Sequence, residues 1–75
     1  MLIKQLTDKL TCMGYMPIVR INGSINAVTI QSPYAQHLHS LFRNRGLRVT
    51  FYNYEDMIAI HDSPQKVFKV LDALQ

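Results

Sequence analysis

The residues best suited to chemistry in this 75-residue chain are arginines and tyrosines, and they gather in its middle. Arg43, Arg45 and Arg48 surround Gly46, Tyr52 and Tyr54 follow shortly after, and Tyr34 stands at the start of the segment leading to them. Guanidinium forks match carboxylates and phosphates alike. Tyrosine rings anchor protein contacts and also stack on bases. These six residues form the candidate partner-binding set, acting by aromatic anchoring and charge pairing. Glu55 and Asp56 sit together at the next turn, so this stretch is basic at one end and acidic at the other.

Other chemistries find less footing. His37 and His39 are two residues apart on a predicted helix and project about 200 degrees from each other, so they cannot grip one ion together. Cys12 and His61 are distant from them in sequence, and no metal or cofactor is expected. No base lies near the single cysteine in sequence, no glycine-rich phosphate loop occurs, and only Glu55 and Asp56 are adjacent acids. The chain reads as a non-enzyme.

A chain of this length buries only about 60 to 65 per cent of its unfolded surface and supports a single core, so residues 1–75 are read as one domain. The composition, 48% apolar and 17% charged, is that of a folded globular protein. One cysteine cannot make an internal disulfide, which suits a reducing compartment such as the cytoplasm. No window approaches the roughly 18 unbroken apolar residues of a membrane span, and no signal-peptide apolar region opens the chain. The expectation is a soluble, unprocessed protein that does not enter a membrane. The net charge of +3 corresponds to only a few phosphate contacts beyond the acidic residues.

The elements that must position the arginines and tyrosines follow from periodicity. Leu2, Ile3, Leu6, Leu10 and Met13 recur at helical spacing and stop at Gly14. Pro17 to Ile21 and Ile25 to Gln31 read as strands around an Asn22-Gly23 tight turn. Ser32-Pro33 then reads as an N-cap with proline at the first helical position, and Ala35, Leu38, Leu41 and Phe42 trace a helical face up to Gly46. Leu47, Val49 and Phe51 alternate with Arg48, Thr50 and Tyr52, and Ile58 and Ile60 with Met57, Ala59 and His61, as half-buried strands do. A second Ser-Pro pair, Ser63-Pro64, opens a last helix with Val67, Phe68, Leu71 and Leu74 inward. Cys12 is expected as a small buried apolar group.

The result is an α+β domain of order α-β-β-α-β-β-α, with a four-stranded antiparallel sheet packed by helices. It divides into two helix-hairpin units, about 1–31 and 32–62, and a C-terminal helix, 63–75. The sheet face away from the helices should carry Arg48, Thr50, Tyr52 and Tyr54 with His61, and Arg20 where the register allows. Two helices fill one face of a sheet under about 20 Å wide. The third then has no obvious seat, and self-association as a homodimer is expected. The order of the first six elements resembles that of the LAGLIDADG homing endonucleases, whose sheet lies on DNA. At the matching helix end, Leu10-Thr11-Cys12-Met13-Gly14, the metal-binding acidic residue of that family is missing, so the resemblance is one of topology and implies no nuclease.

Two functions use the same side chains. In the first, a small inhibitor, adaptor or regulator of microbial or phage type occupies a surface on a larger protein partner. In the second, a basic, tyrosine-bearing sheet face binds nucleic acid.

Overall fold

The computed structural model describes residues 2–24 and 27–74. Helix α1 spans Leu2–Cys12, strands β1 and β2 span Ile18–Asn22 and Ala27–Gln31, and helix α2 spans Ala35–Asn44. Strand β3 (Val49–Tyr52), a 3₁₀ turn at Asn53–Glu55, strand β4 (Met57–Ile60) and helix α3 (Pro64–Ala73) complete the chain. The order is the predicted one.

The two glycine stops are the same device used twice. Gly14 and Gly46 have φ of +88° and +86°, a left-handed conformation that glycine adopts without a Cβ penalty. In each case the next residue bonds back five positions, Tyr15 N–H to the Leu10 carbonyl and Leu47 N–H to the Phe42 carbonyl, both at 3.1 Å. Gly14 and Gly46 donate to the Thr11 and Arg43 carbonyls at 3.0 and 3.1 Å. This is the Schellman closure, which satisfies carbonyls that a helix end otherwise leaves open.

The four strands form one antiparallel sheet in the order β1-β2-β4-β3. Val28 pairs with Ile60, Thr29 with Ala59 and Ile30 with Ile58. A shift of 30 residues maps β2 onto β4, Val28 onto Ile58 and Ile30 onto Ile60, and it takes each of these pairs into another or itself. A local two-fold axis therefore passes through the Thr29–Ala59 pair and relates the two hairpins. The hairpins close alike, with Asn22 opposite Ala27 and Tyr52 opposite Met57.

Alternation along the strands then decides the faces. Val19, Ile30, Ile58 and Phe51 form one row across the sheet, and Ile21, Val28, Ile60 and Val49 the next. Apart from Ile21, which is 57% exposed at the β1 edge, these rows meet the helices: Leu6 and Leu10 of α1, Leu38 and Phe42 of α2, and Val67 and Leu71 of α3 join Val28, Ile30, Ile58 and Ile60 in one core. Each such side chain contributes about 1.5–3 kcal/mol by leaving water.

Four expectations need correction. The third helix does have a seat: α3 joins the same core and packs mainly against α1, where Lys9 meets Asp72 at 3.1 Å. Crowding therefore gives no reason for self-association. Ser32-Pro33 does not open α2, which starts at Ala35 with Tyr34 as its cap residue. The Ser32 hydroxyl is engaged elsewhere, donating to the Tyr15 carbonyl and accepting from Tyr34 N–H. The Asn22-Gly23 turn is also replaced. The expected start of the second strand at Ile25 lies outside the described residues; Asn22 ends β1 and pairs with Ala27, and its side-chain oxygen accepts Ser24 N–H at 3.1 Å. Gly23 accordingly has no positive φ. Finally, Cys12 is exposed rather than buried, because it falls on the outer side of the last turn of α1.

Candidate functional site

Among the described residues no helix packs mainly on the second face of the sheet, although Thr29 and Ala59 in its middle are buried, and its composition changes from one end to the other. Across one end run Ile18, Gln31, Met57 and Tyr52, paired in that order. Arg20, Thr29, Ala59 and Thr50 form the middle row. At the far end His61 donates its backbone N–H to the Arg48 carbonyl at 2.8 Å, and its ring lies 3.1 Å from the Thr50 hydroxyl. The expected set of Arg48, Thr50, Tyr52 and His61 therefore does share this face, and the register adds Arg20.

Tyr54 does not lie on the face. It sits in the 3₁₀ turn at the hairpin tip, fully exposed at 101%. Asp56 closes that turn with φ of +48°, a position that favours short polar side chains. Tyr34 belongs to the same end of the sheet, since it follows β2 where Gln31 pairs with Met57. It is 48% exposed, and its ring is held edge-on by Tyr15 at 6.2 Å, while Tyr15 stacks on His37 at 5.7 Å. Tyr34, Tyr52 and Tyr54 thus gather at one pole, joined by exposed Met16 and Ile18. A shallow cleft of about 340 Å³ opens there between Phe51, Tyr52 and Tyr54.

The arginines gather at the other pole. Arg43 and Arg45 project at the exposed end of α2, Arg45 being its cap residue. Arg48 begins the approach to β3, about 13 Å from Tyr52 along an extended strand. Its guanidinium donates to the His61 carbonyl at 3.2 Å, and its backbone N–H donates to the Asp62 carboxylate at 3.1 Å. That backbone hydrogen bond holds the Asp62 carboxyl below its ordinary range, burial opposes it, and Lys66, 3.4 Å away, reinforces it. A second cleft of about 310 Å³ lies here, lined by Ile21, Arg48, His61, Asp62 and Ser63 among others. The six predicted residues therefore do not form one cluster. They split into an aromatic pole with acidic neighbours and a basic pole.

Sequence reading missed the apolar members, Met16, Ile18 and Met57. One signal was present for Ile18: β1 carries apolar residues at both parities, Ile18 against Val19 and Ile21, so whichever side packs inward leaves an isoleucine outside. Among the described residues, no group of three or more His, Cys, Asp or Glu side chains could hold a metal ion, and no helix is long and apolar enough to cross a membrane. Comparison with protein-family models, with curated proteins and with solved structures finds no match for this chain.

Proposed function

We propose that this chain is a small non-enzymatic binding module that acts by occupying a surface on a larger protein, as an inhibitor, adaptor or regulator. The observation that carries this reading is the aromatic pole. Tyr54 is 101% exposed, Ile18 and Met16 are 50% and 66% exposed at the same end of the sheet, and Tyr34 and Tyr52 are 48% and 37% exposed. A water-exposed cluster of this make-up is costly unless something covers it, and tyrosine with aliphatic neighbours is the anchor chemistry of protein interfaces. Met57 and Tyr52 offer a flat apolar pair, with Ile18 beyond Gln31 at the other edge, Tyr54 an inserting ring, and Arg20 a charge at the rim that steers and orients more than it binds.

Nucleic acid is the second reading. Arg20, Arg48 and His61 on the open face favour it, but the tyrosines that would stack on bases lie at the opposite end from Arg43 and Arg45, and the Arg48 guanidinium donates to the His61 carbonyl.

The test pairs the tagged protein with its Tyr52→Ala/Tyr54→Ala variant in extracts of the source cells at physiological salt. The reading predicts one protein retained in fixed stoichiometry by the wild type and lost by the variant. Retention of nuclease-sensitive material that falls steeply with salt, at equal strength in both, overturns it in favour of nucleic acid.

A further inference from the structure

Strands β1 and β3 both lie at sheet edges, and they differ in what flanks their free backbone. Because the Arg48 carbonyl accepts from His61 N–H, Arg48 turns its backbone toward β4. By the alternation of an antiparallel ladder, the N–H and C=O groups of Val49 and Phe51 point the other way, along the open edge. Arg43, Arg45 and Arg48 precede this edge and Glu55 and Asp56 follow it, all five exposed. A strand with opposite charges at its two ends is complementary to an antiparallel copy of itself. The β1 edge lacks this property, since Arg20 is the sole charged residue from Gly14 to Gln31.

We propose that a second copy of this chain occupies the β3 edge, paired antiparallel about a two-fold axis at Thr50. In this register Val49 lies opposite Phe51 of the second copy, and each such pair exchanges two backbone hydrogen bonds through the outward-facing groups. Arg48 lies opposite Tyr52 of the second copy on the open face, a guanidinium beside a ring. The α2 end with Arg43 and Arg45 approaches Glu55 and Asp56 of the second copy, and the two-fold repeats the match. The axis stands perpendicular to the sheet, so both helical layers stay on one side and the two open faces merge. A shift of one residue would turn the second copy's inward side chains to the open side. The contact is short, below the roughly 1,200 Å² of standard interfaces, so the dimer is weak, with a dissociation constant on the order of micromolar, and weaker in high salt. This proposal stands independently of what the aromatic pole binds.

Sedimentation equilibrium across protein concentration tests it with two charge-reversed chains, Arg43→Glu/Arg45→Glu and Glu55→Arg/Asp56→Arg. Each alone places like charges together at both ends and should self-associate at least about tenfold more weakly than wild type. Mixed, they present opposite charges at both ends and should form a heterodimer. Thr50→Lys, an exposed position that sets two lysines face to face on the axis, should leave a folded monomer by circular dichroism. Thr50→Cys in a Cys12→Ser background should cross-link to its copy on oxidation, whereas Arg20→Cys in that background should not. A wild type that stays monomeric at millimolar concentration and low salt overturns the proposal. So does a folded Thr50→Lys variant that dimerises like wild type, a mixture that fails to associate, or cross-linking through Arg20→Cys instead.

Discussion

The first helix-hairpin unit ends in an edge strand, β1, with one charge, and its helix α1 is backed by α3 through the core and the Lys9–Asp72 pair. The second unit repeats the plan without a backing helix, so α2 alone lies over β3. Three arginines, two at the end of α2 and one leading into β3, lie at one end of its hairpin, and two acids and the fully exposed Tyr54 lie at the other. One backbone plan therefore supports two different surfaces. The first unit's helix is covered by α3, while Met16, just before β1, and Ile18 and Ile21 within it are exposed; the second unit's exposed positions hold tyrosines and more of the charge. The two Schellman closures, which match residue for residue, mark how far the likeness goes.

Breaking the shared core tests the likeness first. Leu10 and Phe42 hold equivalent places, 32 residues apart, and both are fully buried. Phe42→Ala should cost about 4 kcal/mol and Leu10→Ala about 3, each a large part of the stability of so small a chain. Urea denaturation measures both, and a Leu10→Ala cost under about 1 kcal/mol would show that the two places are not equivalent.

The two Ser-Pro pairs separate the units more finely. Ser32 is 2% exposed and ties the Tyr15 carbonyl to Tyr34, so Ser32→Ala strands buried polar groups and should cost about 2 kcal/mol. Ser63 is an exposed N-cap that accepts from Lys66 N–H at 3.3 Å, and Ser63→Ala should cost about 1 kcal/mol. Equal losses would show that Ser32 is only a cap.

The smallest effect concerns Asp62, at the basic pole. Its folded pKa lies below that of an ordinary aspartate, chiefly because Arg48 N–H donates to it. A lowered carboxylate pKa contributes stability that is present above the unfolded value and is lost as pH falls through the folded one. Thermal melts should therefore show a decline below pH 4 that is shallower in Asp62→Asn, the difference amounting to about 1 kcal/mol. An unchanged acid limb would place the carboxylate free of Arg48.

Periodicity made most of the fold legible, because buried strands and helices must alternate at fixed intervals and because Gly14 and Gly46 occupy a backbone region that few other residues tolerate. Ser63-Pro64 was legible for a similar local reason, with Ser63 capping and Pro64 at the first helical position. Ser32-Pro33 was not, since the Ser32 oxygen accepts Tyr34 N–H in a turn before α2 while its hydrogen goes to Tyr15, seventeen residues earlier, and no local pattern reveals that contact. The seat of α3 and the split of the six site residues into two poles depend on strand order and register, which become definite only when all four strands are assembled. The turn around Asn53 to Asp56 was legible, but Tyr54 within it still reads as part of the sheet face, because it continues the alternation of β3.

The most direct test of the unequal use of the two units is photo-cross-linking from their hairpin tips. A benzophenone amino acid replaces Tyr54 in one chain and Ser24, the exposed residue in the first hairpin loop, in another; both are irradiated in source cells at physiological salt. We predict that position 54 attaches to one protein of defined mass and position 24 to none. Attachment from position 24 alone, or from position 54 to nucleic acid alone, would contradict the assignment of protein binding to the second unit.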